Sequence, residues 1–212
     1  MSNKEFELRF YGYSESKVKS KIKELGGILI NKRRIMPLTV YNHPKGKKDS
    51  YIRIRDEGKQ IILTSKKNLK KKFVTEYEVE IDSFEQADLI LTSLGCKKKY
   101  HVEKIRETWE LPGCKEIVFD SYPGSETYME VDCHSEKALM SVAKKIGVYP
   151  DFLDKNFNLS NHYLEKYGIT KKRKMGDLTF KDAKTQLGEY ITKNKKKFNK
   201  ILKEQQQLIK KK

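Results

Sequence analysis

Glu5-Phe6-Glu7-Leu8-Arg9-Phe10 alternates charged and apolar residues without a break. Successive side chains of a β-strand point to opposite faces, so this stretch has one charged face and one apolar face. The same alternation returns at Tyr51-Ile52-Arg53-Ile54-Arg55 and Glu76-Tyr77-Glu78-Val79-Glu80-Ile81. Shorter copies occur at Lys104-Ile105-Arg106 and Glu130-Val131-Asp132. Taken alone, each stretch reads as an exposed edge strand with its charges in water. The repetition with both signs reads differently. A sheet whose charged faces share one side would hold carboxylates and cations together, which is what a divalent metal and a polyphosphate need.

Working outward, the pattern predicts strands at 5–11, 28–41, 51–56, 60–66, 73–81, 98–110, 115–122 and 127–133. Asp56-Glu57-Gly58-Lys59 joins two of them as a hairpin, because Gly58 can take positive φ. Helices are predicted at 14–25, with Ser14 or Ser16 as cap, and at 83–94, 135–146 and 159–167. Lys67–Lys72 reads as a basic hairpin tip that could guide a polyanion. The fold class is α+β: eight mostly antiparallel strands in a closed or nearly closed barrel, with helices packed outside. Apolar faces would point out to the helices and charged faces inward. Such an interior must be wet or hold a ligand, since buried charges need partners.

The 212 residues are 37% hydrophobic and 35% charged, with a net charge of +17. Residues 171–212 contain fifteen Lys/Arg and four Asp/Glu, so most of the excess is C-terminal. This divides the chain into a body, 1–168, and a Lys-rich tail, 169–212, read as helical or partly disordered. The tail is expected to add weak, salt-sensitive contact with nucleic acid or another polyanion. Cys96, Cys114 and Cys133 are odd in number and lack CxxC spacing, which argues against a disulfide framework. They read as small apolar packing. The four His residues form no zinc pattern. No run approaches the roughly 18 apolar residues of a membrane span, and no apolar leader opens the chain. A cytoplasmic, reduced protein with no membrane partner is expected.

In this order the motifs resemble the CYTH superfamily of triphosphate tunnel metalloenzymes. Glu5-x-Glu7-x-Arg9 is similar to its ExExK opening, and Arg53-Ile54-Arg55 to its RxR strand. Lys66 ends a strand as the family's lysine does, and Glu76–Asp82 is similar to its acidic strand. Glu103–Arg106, Val118-Phe119-Asp120 and Glu130-Val131-Asp132 follow in place over roughly residues 3–167. The resemblance implies a closed eight-stranded barrel around a hydrophilic tunnel that binds a triphosphate with Mg2+ or Mn2+. It assigns Glu5, Glu7, Asp120, Glu130 and Asp132 to the metal. Arg9, Arg53, Arg55, Lys66 and Arg106, assisted by Lys104, would hold the phosphates, with Glu130, Asp132 and Arg9 closest to catalysis. Arginine suits phosphate oxygens through its paired donors. Three positions depart from the family: Arg9 replaces its lysine, Asp132 replaces a glutamate, and Asn161-His162-Tyr163 stands where a basic residue precedes Ser-Tyr.

The implied activity is divalent-metal-dependent hydrolysis of a triphosphate phosphoanhydride bond, in inorganic triphosphate, a nucleoside or thiamine triphosphate, or an RNA 5′-triphosphate. The alternatives are a class IV adenylate cyclase, for which no adenine-binding residues are evident, and a non-catalytic polyphosphate or nucleic-acid binder. Trp109 is expected to pack against a helix.

Overall fold

Alternation becomes strands wherever the sequence showed it. The protein is described by a computed structural model over residues 6–44, 50–67, 75–154, 159–169 and 176–210. The strands are β1 (Phe6–Phe10), β2 (Ile28–Asn42), β3 (Tyr51–Asp56), β4 (Ile61–Lys67), β5 (Thr75–Ile81), β6 (Lys98–Glu110), β7 (Cys114–Ser121) and β8 (Tyr128–Cys133). They form one antiparallel sheet in the order β1-β8-β7-β6-β2-β3-β4-β5. Gly58 turns the β3–β4 hairpin at φ +77°.

Register carries one face across the whole sheet, because directly paired residues lie on the same side. Glu7 and Arg9 pair with Asp132 and Glu130. Asp132 and Glu130 pair with Glu116 and Val118 on β7, and Asp120 pairs with Arg106 on β6. Met36 of β2 pairs with Lys104, and Leu38 and Val40 lead across to Arg55 and Arg53. Arg53 and Tyr51 then pair with Thr64 and Lys66, and these with Glu78 and Glu76. The charges predicted to share a face therefore do so from β1 to β5.

The sheet is curled, and among the described residues β1 and β5 stand at the two ends of its strand order, with no pairing between them to form the closed barrel expected. The free edge of β1 is occupied. Phe10 bridges Leu153, Tyr11 N–H donates to Phe152 O at 2.8 Å, and Asp154 N–H donates to Arg9 O at 2.8 Å. These contacts engage the Arg9–Tyr11 end of the β1 edge.

The opposite face packs under helices. α1 (Glu15–Glu24) and α3 (Glu136–Lys145) bury Val18, Ile22, Leu139 and Val142 against Phe10, Ile117, Phe119, Met129 and Val131. Trp109 belongs to this core, and its indole N–H donates to Glu107 at 2.6 Å, so it packs rather than stacks on a ligand. α2 (Phe84–Ser93) lays Ala87 and Leu91 on Tyr41 and Ile54. Ser83 and Ser135 cap their helices by accepting from Gln86 N–H and Ala138 N–H, while Ser14 makes no such bond.

Adjacent strands put Cys114 opposite Cys133, and their sulfurs are 2.06 Å apart in a disulfide. This corrects the expectation of unpaired cysteines. An odd count only requires one thiol to remain, which is the buried Cys96.

The C-terminal segment adds α4 (Leu159–Tyr167), α5 (Ala183–Leu187) and α6 (Lys195–Lys210). Leu178 pairs in parallel with Val102, on the length of β6 beyond the end of β7. Its N–H donates to His101 O at 2.8 Å, and its carbonyl accepts from Glu103 N–H at 2.9 Å. Leu178, Phe180, Leu187, Phe198 and Leu202 share a core with Met36, Leu38, Val40, Val102, Tyr163 and Tyr167. Gly124, at φ +73°, lets Phe198 approach where a Cβ would stand 2.1 Å from its ring. No helix among the described residues is long and apolar enough to cross a membrane.

Candidate functional site

Asp120 is the centre of the charged face and is fully buried at the end of β7. Arg106 grips it with two parallel bonds, Nε to Oδ1 at 2.7 Å and Nη2 to Oδ2 at 2.6 Å, and Lys104 Nζ adds a third at 2.6 Å. Burial alone would raise the Asp120 pKa. Arg106 and Lys104 outweigh it and hold the carboxyl well below its usual range. The same burial, with Arg106 alongside, pushes Lys104 down to about 8.

From this centre the network runs to β8 and β1. Arg106 Nη2 lies 3.3 Å from Glu130, whose other oxygen accepts from Arg9 Nε at 2.6 Å. Arg9 Nη2 is 2.6 Å from Glu7, so one guanidinium sits between two carboxylates. Burial opposes the Arg9 charge, but Glu130 and Glu7 prevail and raise its pKa. Asp132 is held by Lys115 at 3.3 Å. Glu116, which the sequence reading passed over, pairs with Asp132 in register and lies 3.8 Å from Arg106. Its signal was hidden because Ile117-Val118-Phe119 is apolar on both faces.

The second wing comes from β3, β4 and β5. Arg53 lies 3.8 Å from Glu76 and 3.7 Å from Glu78, and Lys66 lies 3.3 Å from Glu76. Arg55 lies 3.6 Å from Glu78 and 2.6 Å from Glu57, a hairpin residue the sequence reading did not select. The Nε atom of Arg53 is nonetheless buried with no hydrogen-bond acceptor among the described residues, whereas the buried Nε of Arg55 has the Glu57 carboxylate 2.6 Å away. Burial, and Arg53 beside it, lower the Arg55 pKa. The structure thus brings Glu7, Arg9, Asp120, Glu130, Asp132, Lys104 and Arg106 together on one wing, and Arg53, Arg55 and Lys66 on the other. Glu5 and residues 68–72 of the basic tip lie outside the described residues.

One end of the face is lined with aromatics. Tyr11 stacks on Tyr128 at 5.7 Å and on His162 at 4.9 Å, and Tyr122 stacks on Tyr128 at 6.3 Å. His162, from the departing Asn161-His162-Tyr163 motif, contacts Ser125 Oγ at 3.0 Å. Burial, and then Lys166, push its pKa down to about 4. A histidine held neutral in the fold contributes stability that is complete above its unfolded pKa near 6.5 and is lost as pH falls toward 4. We expect urea unfolding to show about 2–3 kcal/mol more acid loss between those pH values in wild type than in His162→Gln. Equal acid loss in both proteins would contradict this account.

The carboxylates test the site for a divalent ion. Among the described residues no three acidic groups converge to enclose one. Yet Glu7 and Glu130 already flank a positive charge, that of Arg9, and hard carboxylate oxygens suit Mg2+ or Mn2+. The oxygen donors of Glu7 and Glu130 are of the kind such an ion takes, and in this structure Arg9 stands between them.

Comparison with known proteins places this geometry. The CYTH domain profile matches residues 3–167. Among solved structures, a Vibrio parahaemolyticus protein described as a candidate adenylate cyclase is 12% identical, with TM-score 0.65 over 74% of this chain and 96% of that one. A Pyrococcus horikoshii OT3 protein is 19% identical, with TM-score 0.60 over 72% of this chain and 96% of that one. A Bacillus halodurans protein, also described as a candidate adenylate cyclase, is 17% identical, with TM-score 0.52 over 77% of this chain and 99% of that one. At these identities the likeness concerns the fold. No curated protein matches the chain.

Proposed function

The chain belongs to the CYTH family, and from that premise we propose that it hydrolyses a triphosphate on its charged face with the help of Mg2+ or Mn2+. The observation that carries this reading is the buried guanidinium Nε of Arg53, which has no hydrogen-bond acceptor among the described residues. Arg53 stands on the same face as Arg55, Lys66, Arg106 and Arg9. A buried donor of this kind costs free energy unless an anion meets it. The present neighbours of Arg53, Glu76 and Glu78, are carboxylates that phosphate oxygens would replace.

In this reading Arg53, Arg55 and Lys66 bind the phosphate chain, while Asp120 fixes Arg106 and Lys104 so that their remaining charge faces it. Glu130 orients the attacking water and takes its proton as the water oxygen bonds to phosphorus and the bridging P–O bond breaks. Arg9 sets the position of Glu130, and Asp132 assists in orienting the water. Glu7, Glu130 and Asp132, with Glu5 and Asp120 as further candidates, would hold the metal. When bound, the ion neutralises charge on the phosphates.

Lys104 gives a pH test. It is a cation below about pH 8 and neutral above, so KM for the triphosphate should rise about tenfold through that range. Lys104→Arg, which stays charged, should flatten the rise; a rise identical in both would remove Lys104 from the phosphate contact.

Orthophosphate and pyrophosphate release should be measured on inorganic triphosphate, ATP, thiamine triphosphate and 5′-triphosphate RNA, with Mg2+, Mn2+ or chelator. Metal-dependent orthophosphate release is expected. Pyrophosphate with cyclic AMP would instead make the protein a cyclase. Binding without turnover would make it a polyphosphate-binding module.

A further inference from the structure

The helix α6 lies beyond the residues matched by the family, and its two sides are unlike. Phe198, Leu202 and Gln205 are buried on the body. Gln205 anchors the helix by accepting from Gly124 N–H at 2.8 Å and donating to the carbonyls of Tyr122 and Ser125 at 3.0 Å. Lys196, Lys200, Lys203, Gln207 and Lys210 are exposed. At 100° per residue they fall within about 80° of arc, diametrically opposite the anchored side, and span about 21 Å. None of these four lysines has an acidic partner among the described residues.

An ordinary solvated helix face mixes signs along its length. The exposed side of α6 has one acid, Glu204, about 40° beyond the margin of the lysine row, and none within the row, and the helix begins badly. Lys195, Lys196 and Lys197 occupy the first turn with no acidic residue there. Cations at a helix N-terminus oppose the macrodipole, typically at about 0.3–1 kcal/mol each. Among the described residues only Lys197 of these three recovers an acidic partner, Glu126 at 2.9 Å. A local rule broken without compensation inside the fold points to something outside it.

We propose that this lysine row of α6 binds the phosphate backbone of single-stranded RNA, independently of the triphosphate site. Lys196, Lys200 and Lys203 follow one another at about 6 and about 4.5 Å along the axis, and Lys210 stands about 10.5 Å further on. That row suits a polymer carrying one negative charge per monomer. A membrane surface fits poorly, because the apolar side that would enter the bilayer is already buried at Phe198 and Leu202. The row makes point-charge contacts with phosphate and no base readout, so binding should be indifferent to sequence and steep in salt.

The test uses the full chain and a labelled RNA with a 5′-hydroxyl end, which is no triphosphatase substrate. Anisotropy is followed across a salt series. The triple variant Lys196→Ala, Lys200→Ala, Lys203→Ala should bind at least about tenfold more weakly and lower the salt slope by about 2. Its melting temperature and any triphosphate turnover should be unchanged. A control triple, Lys17→Ala, Lys97→Ala, Lys99→Ala, removes the same charge from exposed body positions and should change affinity by less than about threefold. DNA of the same length weakened in parallel would support backbone recognition. Wild-type RNA affinity in the α6 variant would overturn the proposal, and so would equal weakening by both triples. Loss of binding to phosphatidylserine vesicles with RNA binding intact would overturn it in favour of a lipid surface.

Discussion

Asp120→Ala is expected to lose about 3–5 kcal/mol of stability, the cost of leaving buried charge unpaired. Lys104 and Arg106 are 7% and 9% exposed, and Asp120 is the carboxylate both of them hold. Without it, two cations face each other in a medium that solvates neither. For a chain of this size that corresponds to a fall in melting temperature of about 6–20 °C. The sign with pH follows from the depressed folded pKa of Asp120. Its stabilisation is present above the ordinary carboxylate range and is lost as pH falls through the folded value. The gap between wild type and variant should therefore narrow only in strong acid. Asp120→Asn, which keeps an acceptor and loses the charge, should fall between them. A melting temperature within about 2 °C of wild type for Asp120→Ala would mean that the centre relaxes and the pairing is not structural.

Glu130→Gln should lower kcat by about 100- to 1000-fold on whichever triphosphate the wild type hydrolyses. Glu130 is a carboxylate that touches both Arg9 and Arg106. In the amide, the proton acceptor for water is gone and the charge that positions Arg9 is removed, while side-chain volume is kept. If Arg53, Arg55 and Lys66 bind the phosphates from the other wing, as proposed, KM should change far less than kcat. The complementary pair, Arg53→Ala and Arg55→Ala, should do the reverse and raise KM most. If Glu130→Gln turned over within about threefold of wild type, Glu130 would be a structural partner of Arg9 and the water would be oriented elsewhere.

Much of this was written in the alternation. Period-two charge fixes which side chains share a face, so strand limits from sequence fall within about two residues of those observed. The sharing of one side by Arg9 and Glu130 followed from the same period, whereas Asp120 was marked only by the family resemblance. What the pattern could not hold is pairing between distant parts. The edge of β1 is engaged by Phe152–Asp154, which no local signal in 5–11 announces. Glu116 disappeared inside an apolar run, and Glu57 read only as a turn residue. Cys114 and Cys133 meet because two strands happen to be in register, and counting cysteines cannot see register. The apolar residues Met36, Leu38 and Val40 on the charged face are explained by Tyr163 and Leu178, which arrive from more than a hundred residues away.

The edges left by β1 and β5 change how a large molecule could reach the charges. A barrel with a continuous ladder has a diameter dictated by strand number and shear, and whatever enters must be threaded through an end. Here an aromatic stack lines one end, and among the described residues no ladder joins β5 to β1, whose edge meets Phe152–Asp154. The distance between the two charged wings is then set by the bending of a sheet and not by a count of strands.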